Sequence, residues 1–202
     1  MMTMEIKRIQ KSNNLFIVEL DQENPLSLPE SVFVRHNLYK GKELTENDIL
    51  EIRKDSERQI AIDFALKKLR NRKTTWEIED LLIREGIGED AIAGAVDYLK
   101  EYGFLNDEEF AELFARDKRN LNGYGPIKIR YLLKQKGVDE RFIAMALEKF
   151  THEDEVEMID KIVGKKYVRG HGLSKDKTKI IRFLLSRGFQ YPAIKVVLNR
   201  WP

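Results

Sequence analysis

The sequence predicts a mostly helical protein with a small strand-containing segment at its N-terminal end. From about residue 56 onwards, apolar residues recur at the i, i+3, i+4 spacing of a single helical face. In addition, a pattern of helix, glycine and second helix occurs three times, with Gly86, Gly137 and Gly188 each 51 residues apart. The main body is therefore expected to be all-α: three tandem three-helix repeats, helix-turn-helix-like, in an elongated array.

Each copy of the pattern has an apolar stripe on both sides of its glycine. In the first copy Ile78 and Leu82 precede Gly86, and Ile92 and Val96 follow it. Glycine adopts the left-handed conformation that ends many helices without a Cβ penalty. A further helical stretch precedes each pair, so we expect three helices in each repeat. A single repeat has a thin core, and stacking neighbouring repeats would bury more of it.

The chain divides into four predicted segments. Residues 1–55 are expected to form an extension with a β-hairpin and short helices, because "MEIKRIQ" and "LFIVEL" flank the turn "KSNN". The three repeats are expected at 56–106, 107–152 and 153–202.

Composition excludes several classes of protein and site. The 202 residues include no cysteine, which rules out disulfides, thiolate zinc sites and a thiol nucleophile. No run of about 18 apolar residues predicts a membrane span, and the N-terminus lacks the apolar core of a signal peptide. We therefore expect a cytoplasmic protein without membrane contact.

No catalytic, metal-binding or cofactor-binding motif is present. The sequence lacks a P-loop, a nucleophile elbow and a dinucleotide-binding fingerprint. Its three histidines have no metal-like spacing. The acidic run Asp107, Glu108 and Glu109 is interpreted as helix N-terminal charge, which the helix dipole favours. The sequence predicts no catalytic residue, no metal and no cofactor.

Positive charge is concentrated towards the C-terminal end. Residues 151–202 hold 11 Lys+Arg against 6 Asp+Glu, whereas the whole chain has a net charge of only +2. A basic cluster of this kind is either a solvated surface or a patch for phosphates or an acidic protein face. Two clusters are candidate partner or DNA contacts. The first comprises Arg116, Lys118, Arg119, Tyr124, Lys128, Arg130 and Lys134, and the second comprises Lys161, Lys165, Lys166, Arg169, Lys175, Lys177, Lys179 and Arg182.

One stretch resembles a known family. "YGFLNDEEFAELFARDKRNLNGYGPIKIRYLLKQKG", residues 102–137, resembles the RecX family of bacterial regulatory proteins. The residues that carry the resemblance, together with the repeat glycines, are interpreted as structural: Asp107, Phe110, Ala111, Gly123, Gly125, Gly86, Gly137 and Gly188. Asn106 stands where the family usually has an aspartate, and asparagine caps a helix equally well.

The resemblance implies a function and a partner. RecX-like proteins bind the filament of the RecA recombinase along its groove, restrain ATP hydrolysis and strand exchange, and are not enzymes. The resemblance thus implies a RecA inhibitor in homologous recombination, DNA repair and the SOS response. The implied partners are the RecA filament and, weakly and salt-dependently, single- or double-stranded DNA. A monomer is expected.

A helix-turn-helix DNA-binding protein or transcription regulator is the alternative. Three-helix units with a glycine turn do resemble that motif. A typical reader of this type carries cations on its second helix, yet residues 88–99 contain none. Sequence-specific reading of the major groove is therefore poorly supported.

Overall fold

The fold is described from a computed structural model, which covers residues 3–165 and 177–200. These residues form four strands and ten helices, so the prediction of a mostly helical chain with an N-terminal strand segment is confirmed. The N-terminal part contains β1 (Thr3–Ser12), β2 (Leu15–Leu20), β3 (Leu26–Pro29), α1 (Glu30–Arg35) and β4 (Glu43–Thr45). The helices that follow are α2 (Glu46–Lys68), α3 (Thr75–Arg84), α4 (Glu89–Glu101), α5 (Asp107–Asn120), α6 (Pro126–Gln135), α7 (Glu140–Glu148), α8 (His152–Val163), α9 (Lys177–Ser186) and α10 (Tyr191–Arg200).

The chain forms two compact units. The first comprises Met1–Lys73 and Glu77–Leu105, and the second comprises Thr74–Trp76 and Asn106–Pro202. Within the described residues, no helix is both long and apolar enough to cross a membrane.

A four-stranded antiparallel sheet, ordered β3-β2-β1-β4, begins the first unit. The predicted hairpin is its centre, where Ile9 pairs with Val18. The predicted hairpin is confirmed, and β3 and β4, which the sequence did not predict, extend it to four strands. These two strands contain four and three residues, too few for apolar alternation to stand out in the sequence. The core under the sheet contains Ile6, Leu28 and Ile52, each at most 1% exposed.

The helix that leads into the repeat region begins at Glu46, directly after Thr45. Thr45 forms a capping box with Asp48, whose carboxylate accepts from the Thr45 N–H at 2.7 Å. The resulting helix α2 continues to Lys68, through the predicted segment boundary after residue 55. Its C-terminal half packs with α3 and α4 around Ala65, Ile78 and other buried residues.

The second unit contains two further three-helix groups. In one, α5, α6 and α7 enclose Ile129, Leu133 and Ile143, which are fully buried. In the other, α8, α9 and α10 enclose a core that includes Phe189. The repeat glycines after α3, α6 and α9 have φ values of 77°, 69° and 83°. The left-handed conformation predicted for them is confirmed, whereas the 51-residue period stays a prediction.

Candidate partner interface

Both predicted basic clusters lie in the second unit. The first cluster follows α5, the loop after it and α6, and the second follows α8 and α9. Three predicted contact residues, Lys166, Arg169 and Lys175, lie outside the described residues.

The cations of α5 differ in what they contact. Arg119 forms an ion pair with Asp154 of α8 at 2.9 Å, and its guanidinium lies 4.8 Å from the centre of the Phe150 ring. The Thr151 N–H and the nearby Arg119 hold the pKa of Asp154 below its usual value. Lys118 lies over the Phe114 ring. Arg119 thus joins the two helical groups of the second unit and is only partly available to a partner.

Arg116 is the cation of α5 that remains available. Its side chain is exposed, and no hydrogen bond or ion pair joins it to any other described residue. A guanidinium in this state presents five N–H donors to a partner without first breaking an internal contact.

Two of the cations of α6 share one carboxylate. Arg130 and Lys134 both form ion pairs with Glu140, the Lys134 Nζ at 2.9 Å. Lys128 lies 5.4 Å from the centre of the Tyr131 ring. Ion pairs at this degree of exposure contribute little stability, because water competes for both partners. Because two cations share one carboxylate, this face of α6 keeps a net positive charge. An anion of a partner could replace Glu140 as their ion-pair partner.

The described residues of the second cluster are more exposed than those of the first. Lys161 pairs with Glu157 at 2.5 Å on the surface of α8. On α9, Lys177, Lys179 and Arg182 are all exposed, and this helix contains no acidic residue. The described part of the second cluster therefore forms a cationic face, as expected for either a solvated surface or an anion contact.

Tyr124 is held in the structure by a residue that the sequence did not single out. Arg187 donates through Nη1 to the carbonyl oxygens of Asn122 and Gly123, and its guanidinium lies 5.8 Å from the Tyr124 ring centre. The same guanidinium lies 4.9 Å from the Phe183 ring. Because Arg187 is more than 60 residues from this loop in the sequence, no local signal could have found it.

Comparisons with known proteins decide the family. The family model for the RecX second three-helix domain matches residues 106–147. The regulatory protein RecX of Bacillus licheniformis is 35% identical over 197 residues, which cover 94% of this chain and 74% of that protein. RecX of Clostridium perfringens strain SM101 is 32% identical over 198 residues, covering 95% of this chain and 92% of that protein. The chain belongs to the RecX family.

Solved structures agree with this assignment. A crystal structure of regulatory protein RecX superimposes with a TM-score of 0.76 at 26% identity, covering 97% of this chain and 99% of that one. RecX from Lactobacillus salivarius superimposes with a TM-score of 0.66 at 28% identity, covering 71% of this chain and 96% of that one. The resemblance seen in the sequence is confirmed, and with it membership in a bacterial family of regulatory proteins that are not enzymes.

The motif residues of the RecX-like stretch have structural positions here. The Asp107 carboxylate accepts from the Thr75 N–H at 2.8 Å, both within the second unit. Phe110 and Ala111 are buried in the α5–α7 core, and the Asn106 side chain caps α5 by accepting from the Glu109 N–H at 3.0 Å. Among the described residues, no group of three His, Cys, Asp or Glu could hold a metal ion.

A buried carboxylate that no local sequence pattern indicates lies on α8. Glu155 of α8 is 1% exposed and accepts from the Gln190 N–H at 2.5 Å and from Gln190 Nε2 at 3.1 Å. It thereby caps the start of α10 in this RecX-family chain. Burial raises the pKa of the Glu155 carboxyl, although the two hydrogen bonds from Gln190 act in the opposite direction.

Proposed function

We propose that this protein binds the RecA recombinase filament on DNA and restrains its ATP hydrolysis and strand exchange. Membership in the RecX family supports the regulatory role, and the surface of the second unit supports a polyanionic or acidic partner. The protein would act in the cytoplasm as a monomer and contact single- or double-stranded DNA weakly.

The charges in the first turns of the helices support binding of an anionic partner. Seven of the ten described helices have an acidic residue in the first turn, as the helix dipole favours. Helix α6 has none and instead carries Lys128 in its first turn. A cation in the first turn costs about 0.3–1 kcal/mol. A bound anion would be stabilised by both the dipole and this lysine, which offsets that cost.

The same arrangement argues against a sequence-specific DNA reader. In a helix-turn-helix protein the helix after the turn enters the major groove and contacts base edges. Here α7 carries Arg141, which pairs with Asp139, and α10 carries Lys195 and Arg200. The stronger concentration of cations is on the helices before the glycine turns, where it suits phosphate contact better than base reading.

The test is the DNA-dependent ATPase of the cognate RecA protein. We expect the rate to fall as this protein is added, and we expect no nucleotide hydrolysis or DNA cleavage by the protein alone. Binding to RecA filaments and to naked single-stranded DNA is measured in parallel at two salt concentrations. An unchanged ATPase at saturating protein contradicts the proposal. Tight binding to one duplex sequence without an effect on RecA would support the DNA-reader alternative instead.

A further inference from the structure

The second unit contains a cavity between α5, α6 and α7. Its volume is about 400 Å³, within the range of ligand and anchor pockets. Ala115, Ile129 and Leu147 contribute to its lining and are each at most 8% exposed. Because these side chains are apolar and come from helices whose backbone groups bond within the helix, the floor offers little to a polar ligand.

The rim of this cavity is cationic. Arg116, Arg119 and Lys149 line it, with Glu112 as the acid among the lining residues. Lys149 is paired with Glu112 at 2.6 Å, and Arg119 is paired with Asp154. Arg116 is the lining cation that has no ion-pair partner among the described residues. An apolar pocket therefore opens beside an unneutralised guanidinium.

We propose that this cavity binds a large apolar side chain of the partner protein, next to a carboxylate that pairs with Arg116. The inference rests on the proposed function and names the contact by which the filament protein would be held. An apolar anchor in a pocket with a charged neighbour is the usual form of an interface hot spot. The positive charge of Arg116, which no described acid neutralises, favours an acidic segment of the partner.

Nucleic acid suits this cavity less well. Single strands are held by several free cations together with aromatic faces on which the bases stack. Here two of the three rim cations are already paired, and the aromatic ring in the lining, Phe150, is covered by the Arg119 guanidinium. DNA contact is therefore better assigned to exposed cations of α9 such as Lys177 and Arg182.

The absence of cysteine from the chain allows a direct test by cross-linking. Asn120→Cys places a single thiol at an exposed position on the rim, which is labelled with a benzophenone maleimide and irradiated on RecA–DNA filaments. We expect one cross-linked RecA peptide with an apolar residue within a few positions of Asp or Glu. Lys195→Cys, exposed on α10 and outside the cavity lining, is the matched control and should not give this peptide.

Two substitutions then test the contact itself. Arg116→Glu reverses the free rim charge at an exposed position, and Ala146→Leu fills part of the cavity from α7. Each should weaken filament binding at least tenfold, Arg116→Glu without lowering the melting temperature, whereas Arg116→Lys should bind nearly like wild type. Arg116→Glu keeps the test valid if Ala146→Leu folds poorly.

The outcomes separate this inference from the proposed function. If wild type lowers the RecA ATPase and both variants bind like wild type, the cavity is not the contact and the proposed function stands. A cross-link to DNA, or to a RecA segment without acidic residues, also overturns the cavity assignment. If wild type neither binds the filament nor cross-links to it, both proposals are wrong.

Discussion

Replacing Gly125 by alanine should destabilise the second unit although this glycine has an ordinary backbone conformation. Its φ is −80°, which any residue adopts. The constraint is instead a close approach: the Gly125 N–H donates to the Arg187 carbonyl oxygen at 2.9 Å, and the Ile127 N–H donates to that of Gly188 at 3.1 Å. A Cβ on Gly125 would lie 2.5 Å from the Gly188 carbonyl carbon and 2.6 Å from the Phe189 nitrogen.

Alanine substitutions at three glycines of this unit distinguish the cost of a left-handed backbone from the cost of steric overlap. Gly123 has φ +62° with its nearest neighbour at 3.5 Å, so Gly123→Ala should cost only the left-handed penalty of about 1–2 kcal/mol. Gly125→Ala introduces overlap alone, at about 1–3 kcal/mol, because both contacting segments are backbone and cannot rotate away. Gly188 has φ +83°, and its added Cβ would lie 2.8 Å from the Lys128 Cα. Gly188→Ala should therefore cost about 2–5 kcal/mol.

Urea denaturation followed by helical circular dichroism measures these differences on the full-length protein. Because the chain has two units, the transition of the second unit is first identified with a fluorescent label at an introduced surface cysteine. The expected order of destabilisation is Gly188→Ala, then Gly125→Ala and Gly123→Ala close together. A Gly125→Ala variant as stable as wild type would show that the two turns do not pack as described.

Three further substitutions test charged groups of the second unit. Arg182→Glu should weaken filament binding and reduce its salt dependence while changing stability by less than about 0.5 kcal/mol, as binding isotherms and melting curves would show. Arg119→Ala should lower stability by about 1–2 kcal/mol, because the partly buried ion pair with Asp154 is lost; unchanged melting would refute this role. Glu155→Gln should raise stability at pH 7. In the folded protein the pKa of Glu155 lies above its ordinary value of 4.5. Wild type therefore loses stability as the pH rises from the ordinary pKa to the folded pKa, by about 1.4 kcal/mol for each pH unit between the two. The advantage of the variant in denaturant titrations should vanish near pH 4, and an advantage independent of pH would exclude the carboxylate as its cause.

Local patterns in the sequence predicted the helices and their ends. The apolar stripe around Ile129 and Leu133, the cap at Asn106 and the left-handed turn at Gly137 each depend on residues within about one turn of each other. Interactions of this range are visible without a fold. The strands β3 and β4 were missed because their stability comes from pairing with β1 and β2 rather than from any pattern of their own.

The candidate site could be predicted only in part for the same reason. The basic clusters are visible as composition, but which cations are already engaged depends on long-range contacts. Arg119 meets Asp154 at a separation of 35 residues, and Glu155 meets Gln190 at the same separation. Such contacts leave no periodic pattern in the sequence. All cations of a cluster therefore appeared equally available to a partner, although some are engaged in ion pairs.

The cations of the second unit consequently fall into two functional groups. Arg119 and Arg187 hold carboxylate, carbonyl and aromatic groups of the unit, so their loss would disturb the surface that a partner binds. Arg116 and Arg182 are exposed without an ion-pair partner among the described residues, so their loss should leave the fold intact. A binding assay alone would score all four as contact residues. Only binding measured beside melting separates them, because a true contact lowers the affinity at constant stability, whereas a structural arginine lowers both.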